Sequence, residues 1–394
     1  MALIKVNSRG SNVRNLGRRN IFENGAMQID QRGTRWATVS GTTPGTGFMT
    51  NGVSAVHGWG CPQTDASTNY PRGIDRLFAT SQNDGSISVQ QAIDAPSGTG
   101  LVYSYKLSVT GTDTSLAAAQ RQSATFGMEA HKMTPFLWHT SDAKSLYVQF
   151  WVKSSVTGTY SLSLRTNSGG MSYTTPYTIS AANTWEKKTL TIPGPTSLLG
   201  GSVGSRNALF YYFIFALGMG SNYDTGADNT WTAVANGQGR SSHVNIMATS
   251  SATWQITGLQ MEMHEHTDFE HRSFEEDLAD CQRYFYDSRG QADTFGPSTT
   301  SYEGQALMWC DHHGSSTNRY AANWTFPVQM RARPTVYLSS AIDGASNNTS
   351  AYNGGSNGSV SNIYGFSANG LSGYFQGSNT GDFQRAYITA TAEI

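Results

Sequence analysis

The 394-residue sequence has little of what marks a typical soluble enzyme or a membrane protein. Charged residues make up 13% of it, about half the share usual in a soluble domain. The net charge is −1, so no overall field steers the chain toward nucleic acid or an anionic membrane. The longest apolar run, Ala208 to Leu217, is about half as long as a membrane-spanning helix requires. We therefore expect no nucleic-acid partner and no membrane insertion.

Cysteines and catalytic motifs are also scarce. Cys61, Cys281 and Cys310 are odd in number and widely spaced, which fits neither a disulfide framework nor a zinc site. The sequence contains no H-E-x-x-H metal motif and no phosphate-binding loop of the G-x-x-x-x-G-K-[ST] kind. Acidic residues are thinly scattered, so no glycosidase carboxylate pair stands out. We predict that the protein is not an enzyme.

The sequence is rich instead in residues that suit short strands and tight turns. It has 42 glycines, and 11% of its residues are aromatic. Glycine and asparagine tolerate turn geometry, and aromatic residues favour pleated surfaces. Apolar residues alternate with polar ones from Leu101 to Val109 and from Leu146 to Val152, as they do in strands with one buried face. The pattern predicts an all-β fold with antiparallel sheets.

Two segments depart from simple alternation. The run from Leu209 to Phe215 is apolar on both faces, which predicts a central strand covered on one side by its own core. Its other side would then be covered by something else, such as another subunit. Between Trp254 and Met263 the alternation changes phase at Gly258, which predicts a β-bulge.

One helix is predicted between two β domains. Ser273 precedes Glu276 by three residues, which is the spacing of a capping box. An apolar stripe should pack this helix on a sheet, and its members follow at helical spacing: Phe274, Leu278, Cys281 and Phe285. We assign the helix a structural role.

The first nineteen residues are basic and contain no acidic residue. Two interpretations stay open, a solvated flexible arm and an arm that becomes ordered against a partner. The basic residues that would dock such an arm on a virion are Lys5, Arg9, Arg14, Arg18 and Arg19.

Short segments in a particular order carry a family resemblance. Asn20 to Gly33 has the pattern N-x-x-x-N-G followed by Q-R-G, and in Gly73 to Leu77 a leucine stands where the family has tryptophan. The closing segments are Trp254–Glu262, Phe269–Ser273 and Cys281–Phe285; further matching segments are Phe150–Ser155, Ala182–Glu186, Phe326–Ala332 and Ala390–Ile394. Together they resemble a family of bacteriophage tail-fibre and virion structural proteins whose jelly-roll domain is similar to carbohydrate-binding modules.

The resemblance implies a domain organisation. We expect a basic N-terminal arm over residues 1–19, a jelly-roll β-sandwich over 20–270, a linking helix over 271–287 and a smaller C-terminal β-sandwich over 288–394.

The resemblance also implies a role in a virion. Identical subunits would form a homotrimer, the arm would bind other virion proteins, and distal loops would contact a host surface glycan. Two alternatives remain: a capsid or tail decoration protein that binds no receptor, and a tailspike-type glycan depolymerase. The family supplies no catalytic residue to transfer.

A few aromatic and acidic residues are candidates for ligand binding. Sugar rings stack on exposed indole or phenol faces beside polar groups, and one polar segment offers both kinds of residue: Tyr223, Asp224, Asp228 and Trp231. The two aspartates equally suit turn formation or a structural calcium site. Trp151 lies opposite Val152 on a predicted strand, so it is either exposed or covered by a second layer.

His264 and His266 have the one metal-like spacing. On a strand, residues two apart face the same way, so the two imidazoles would converge. In a trimer, three such pairs would surround the axis, an arrangement that some phage fibres use to hold iron. The alternative is a pair of exposed histidines after the last strand of the sandwich, with no cofactor bound.

Overall fold

A computed structural model of the chain describes residues 19–31, 47–50, 53–54, 74–199, 207–234, 236–288, 318–340, 348–351, 358–363, 366–377 and 384–392. Four of the basic residues proposed for docking, Lys5, Arg9, Arg14 and Arg18, lie outside this part of the chain. No helix within it is long and apolar enough to span a membrane.

Strands dominate the structure. Those of the N-terminal sandwich are β1 (Gly47–Thr50), β2 (Val53–Ser54), β3 (Phe78–Gln82), β4 (Ser86–Ala92), β5 (Ser104–Gly111), β6 (Arg121–Glu129), β7 (Leu146–Ser154), β8 (Gly158–Thr166), β9 (Ser172–Ile179), β10 (Glu186–Ile192), β11 (Leu209–Met219) and β12 (Thr253–Met263). A short helix α1 (Ala130–Met133) follows β6, and α2 (Phe274–Gln282) follows β12. The C-terminal strands are β13 (Phe285–Asp287), β14 (Asn318–Thr325), β15 (Thr335–Ser340), β16 (Asn348–Ala351), β17 (Gly358–Ile363), β18 (Phe366–Ser367), β19 (Gly370–Gly377) and β20 (Gln384–Thr391).

The first twelve strands form two antiparallel sheets. One sheet has the order β10-β7-β12-β5-β4-β1-β2, and the other has the order β3-β6-β11-β8-β9. The chain crosses repeatedly from one sheet to the other between β5 and β12, which is the connectivity of a jelly roll. The predicted all-β fold with a jelly-roll sandwich is confirmed.

Alternating side chains from the two sheets build one aromatic core. Phe150 of β7 contacts Phe215 of β11 edge to face, with ring centroids 5.2 Å apart. Phe213 of β11 stacks on Phe126 of β6 at 4.9 Å. Each such ring contributes about 1.5–3 kcal/mol by burial, so the core rather than surface charge stabilises the sandwich.

The predicted bulge in β12 is present. The pairing of β12 with β7 shifts register between Thr257 and Gln260, and Gly258 has φ of +60°. A glycine adopts this left-handed backbone without a steric penalty. The shift lets Trp254 and Leu259 both face the core although five residues separate them.

The sequence suggested that something other than the protein's own core, such as another subunit, covers the outer face of β11. The structure corrects the suggestion of a second subunit. Its outward side chains Ile214, Ala216 and Met219 are buried in a small cluster of their own, against Tyr212 and Tyr223. Gly239 lies so close that an added Cβ would stand 2.7 Å from the Cβ of Ala216. A segment of the same chain therefore covers this face, and the surplus apolar surface no longer argues for a second subunit.

The helix was correctly predicted, but its buried face only in part. Ser273 and Glu276 form the full capping box. Phe274 is 40% exposed, while Asp277 and Cys281 are the buried residues of the helix. Asp277 is accommodated because Arg272 pairs with it at 2.8 Å and Gln28 donates a hydrogen bond to it.

The predicted linking helix is also shorter than residues 271–287. Phe285–Asp287 forms β13, which pairs with β20 as part of an eight-stranded C-terminal set whose main path is β13-β20-β16-β17-β19-β14. The chain thus enters the C-terminal strands almost directly from the helix.

A buried ionic cluster links two parts of the N-terminal sandwich, residues near its start and the end of β6, to the short connection between α2 and β13. The carboxylate of Glu129, at the end of β6, accepts two hydrogen bonds from the guanidinium of Arg283, at 2.9 and 3.2 Å. The Tyr284 hydroxyl lies within hydrogen-bond distance of the carboxylates of both Glu129 and Glu23, and it can donate its one proton to either. The Arg76 guanidinium lies 3.4 Å from the Tyr284 ring centroid. Burial raises the pKa of Tyr284, so its hydroxyl stays protonated.

Candidate ligand-binding surfaces

The segment from Gly220 to His243 brings together the four residues proposed from sequence. Asp224 and Asp228 both bind Arg240, at 2.8 Å from Nη1 and 2.7 Å from Nε. Ser241 donates two further hydrogen bonds to Asp224. Burial disfavours ionised Asp224, but the bonds from Arg240 and Ser241 outweigh it and lower the pKa of this carboxyl. These bonds join residues of the same segment and so fix its conformation. We call residues 220–243, which cover the outer face of β11, the covering segment.

Trp231 and Tyr223 are anchored in the same segment. The indole nitrogen of Trp231 donates to the carbonyl of Pro193 at 2.7 Å, and its ring packs on Tyr173 at 5.0 Å between centroids. Tyr223 lies under the guanidinium of Arg121 at 4.6 Å. Both rings are partly exposed, and each already packs on a protein group, Trp231 on Tyr173 and Tyr223 on Arg121.

The sequence suggested a calcium site at Asp224 and Asp228 and an iron site at His264 and His266, and the structure shows what surrounds these residues. The carboxylates of Asp224 and Asp228 already face a guanidinium, which a cation would have to displace. Strand β12 ends at Met263, and His264 has φ of 87°, so the two histidines do not alternate on a strand. His266 packs edge-on against Tyr147 instead. No cluster of three or more metal-ligating side chains occurs among the residues that the structure describes.

Arg19 belongs to the sandwich rather than to a free arm. Its backbone nitrogen donates to Glu270 at 3.0 Å, and its guanidinium reaches Thr267 at 2.9 Å. Asn20 donates to the carbonyl of Leu259 and accepts from Met261. Residue 19, which was predicted to be the last residue of the arm, is therefore bonded to the sandwich.

A second surface lies on the outer face of the seven-stranded sheet. Phe150 and Val152 of β7 point into the core, so Trp151 and Lys153 point outward, where both are partly exposed. Lys187 of β10 is the cross-strand neighbour of Trp151. Trp185, one residue before β10, lies on the same face beside Lys153.

Asp94 contacts two residues of this second surface, Lys153 and Trp185, and so joins them. It comes from the connection between β4 and β5 and forms an ion pair with Lys153. The indole nitrogen of Trp185 donates to Asp94 at 3.2 Å, and the Lys153 ammonium lies 5.0 Å from the Trp185 ring centroid. Burial opposes the charge of Asp94, yet the bonds from Lys153 and Trp185 prevail and lower its pKa.

These groups supply the usual chemistry of sugar recognition. Indole faces stack on the C–H surfaces of a pyranose, and Asp94 and Lys153 offer an acceptor and a donor for hydroxyl groups. We call Trp151, Trp185, Asp94, Lys153 and Lys187 the indole patch. The sequence indicated Trp151 alone, because Trp185 and Asp94 join it only through non-local strand pairing.

The carboxylates of Glu23 and Glu129 form a closely spaced pair, and this pair is enclosed. Glu23 and Glu129 share the Tyr284 hydroxyl, but both are buried and both face cations. The geometry gives them a role in joining segments of the chain.

No protein-family model matches the chain, and no curated protein matches it. Among solved structures it is similar to an enzymatically active domain of tailspike protein 4 of bacteriophage CBA120, at 12% identity and a TM-score of 0.28 over 62% of this chain and 21% of that one. It is also similar to the family 11 carbohydrate-binding module of Clostridium thermocellum Lic26A-Cel5E, at 11% identity and 0.27 over 50% and 92%. A third is TmCBM61 in complex with β-1,4-galactotriose, at 10% and 0.24 over 48% and 88%.

The chain thus spans about a fifth of the tailspike chain that it matches. TM-scores of this size do not establish a shared fold, so the sandwich assignment rests on the strand pairing described above.

Proposed function

We propose that the chain is a non-enzymatic structural component of a phage virion, a homotrimeric tail fibre or receptor-binding appendage that contacts a host surface glycan. Support for the virion role comes from the ordered sequence segments that resemble such proteins and from the jelly-roll sandwich. Neither a cofactor nor a catalytic group is part of the proposal.

The indole patch is the observation that carries glycan contact. Two partly exposed indoles, Trp151 on β7 and Trp185 just before β10, lie on one face of the sheet beside the ion pair of Asp94 and Lys153. Side chains fixed by a sheet lose little conformational freedom on binding, which favours recognition of a flexible saccharide. In the covering segment, by contrast, the carboxylates of Asp224 and Asp228 are already bonded to Arg240.

The test is binding of the full-length chain to host cells and to a glycan array. We expect Trp151→Ala and Trp185→Ala each to weaken binding about tenfold or more, as loss of a stacking platform does. Asp228→Asn, on the covering segment, is the control and should leave binding unchanged. No binding to any cell or glycan would favour a decoration protein, and release of reducing ends from host polysaccharide would favour a depolymerase.

Attachment to the virion needs a separate experiment. Because Arg19 and Asn20 are fixed to Glu270, deletion of residues 1–18 should leave the unfolding temperature unchanged. We expect the shortened chain to be lost from virions. Continued incorporation would contradict docking through the arm, and a monomer in sedimentation experiments would contradict the trimer.

A further inference from the structure

We propose that the indole patch selects an acidic polysaccharide, one that carries carboxylate groups on its sugar residues. This inference rests on the glycan contact proposed above and names the chemical class of the glycan. Its basis is the charge of the groups around the two indoles.

The indole patch and Lys106 of β5, which lies on the same face of the sheet, together contain three lysines and one carboxylate, that of Asp94. Lys153 is neutralised by Asp94. Lys187 beside Trp151 has no ion-pair partner among the described residues, and the same holds for Lys106 of β5. Nearby Glu186 does not compensate them, because it pairs with Lys188. Two cations are therefore left to meet a ligand.

The strand register places these cations at useful positions. Lys106 is the cross-strand neighbour of Gln255, which is in turn the neighbour of Lys153. Lys106 thus lies two strands from Lys153, about 10 Å away along the hydrogen-bonding direction. Lys187 lies on the other side, next to Trp151. A saccharide lying across the strands and stacked on the indoles would meet a cation at each end.

Asp94 should also make the indole patch prefer some acidic polysaccharides over others. Its carboxylate is 39% exposed and would repel an anion placed directly over Lys153. Neutral hydroxyl groups should therefore lie at the centre, and carboxylates near Lys106 and Lys187. Chains that alternate acidic and neutral sugars satisfy both requirements.

The experiment measures affinity of the full-length chain for a panel of acidic polysaccharides, namely polygalacturonate, alginate, hyaluronan and polysialic acid. Carboxyl-reduced or methyl-esterified forms of each serve as neutral partners of the same backbone. We expect at least one acidic polymer to bind more tightly than its neutral form. The preference should shrink between 50 and 200 mM salt, because exposed charges are screened over roughly 10 Å.

Variants separate the charge from the stacking. The double variant Lys106→Gln with Lys187→Gln should weaken acidic binding about tenfold and neutral binding much less, so that the ratio of the two affinities falls. Lys144→Gln, which removes an exposed charge elsewhere on the sandwich, is the matched control.

Equal or tighter binding of the neutral forms would overturn the acidic preference while keeping glycan contact. So would a double variant with undiminished acidic binding. Absence of binding to every acidic and neutral polymer and to host cells would instead contradict the proposed function itself.

Discussion

The two sheets of the sandwich differ in what lies over their outer faces. The five-stranded sheet presents Ile214, Ala216 and Met219 outward, and a segment of the same chain held by Arg240 covers them. The seven-stranded sheet presents lysine, glutamine, threonine and tryptophan outward, and part of this face remains open to solvent. An apolar outer face requires a cover, whereas a polar face with a few indoles can remain exposed and meet a ligand.

The largest expected effect is the difference in stability between two variants that place the same charged group, a carboxylate, on the outer faces of the two sheets. Ile214→Asp would bury a carboxylate in a site that is 3% exposed, and we expect it to lower the free energy of unfolding by about 4 kcal/mol or more. Thr189→Asp on the open face should cost less than about 1 kcal/mol. Urea unfolding of the two variants measures the difference, and equal losses would contradict the contrast between the faces.

A smaller effect is expected from a methyl group placed under the cover. The Cβ of Gly239→Ala would lie 2.7 Å from the Cβ of Ala216 and 2.8 Å from the Cγ of Met219, so the segment must shift. We expect a loss of about 1–3 kcal/mol and increased binding of a hydrophobic dye. Gly226→Ala, in the same segment, meets Thr232 Oγ1 at 3.2 Å and should have a much smaller effect.

Removal of the Arg240 guanidinium, which binds two aspartates of the covering segment, should have a still smaller effect on stability. Arg240→Gln removes the cation that binds Asp224 and Asp228, and we expect a loss of about 1–2 kcal/mol in the free energy of unfolding. Hydrogen exchange should increase in residues 221–243 but not in β10 or β7. Uniform exchange across the whole sandwich would mean that Arg240 supports the core rather than the cover.

How far the sequence predicted these features depended on how local their causes are. The capping box needs only Ser273 and Glu276, and the bulge needs only the change of phase at Gly258. The buried face of α2 was predicted only in part: Cys281 is buried as expected, but the burial of Asp277 depends on Gln28 and Arg272, which meet it only in the folded chain.

The binding surface was harder to predict for the same reason. Asp94, Lys153 and Trp185 come from three separate segments, and their meeting depends on which strand pairs with which. Alternation along β7 shows that Trp151 faces away from the core, but it says nothing about its neighbours. Similarly, Glu23, Arg76 and Tyr284 come from three separate sequence motifs, and only the fold brings them together in one buried cluster.

The smallest expected effect is the acid dependence of the two faces. The pKa values of Asp94 and Asp224 both lie below the ordinary value of 3.8 in the folded chain. Each carboxylate therefore adds stability above about pH 4 that is lost as the pH falls through its folded pKa. Asp224 is 22% exposed and Asp94 39%, so screening should leave the larger share to Asp224. We expect Asp224→Asn to lower the unfolding temperature at pH 7 more than Asp94→Asn, and both differences from the unmodified chain to shrink toward pH 2. A larger effect of Asp94→Asn would mean that the exposed surface, rather than the covered one, depends more on its ion pair.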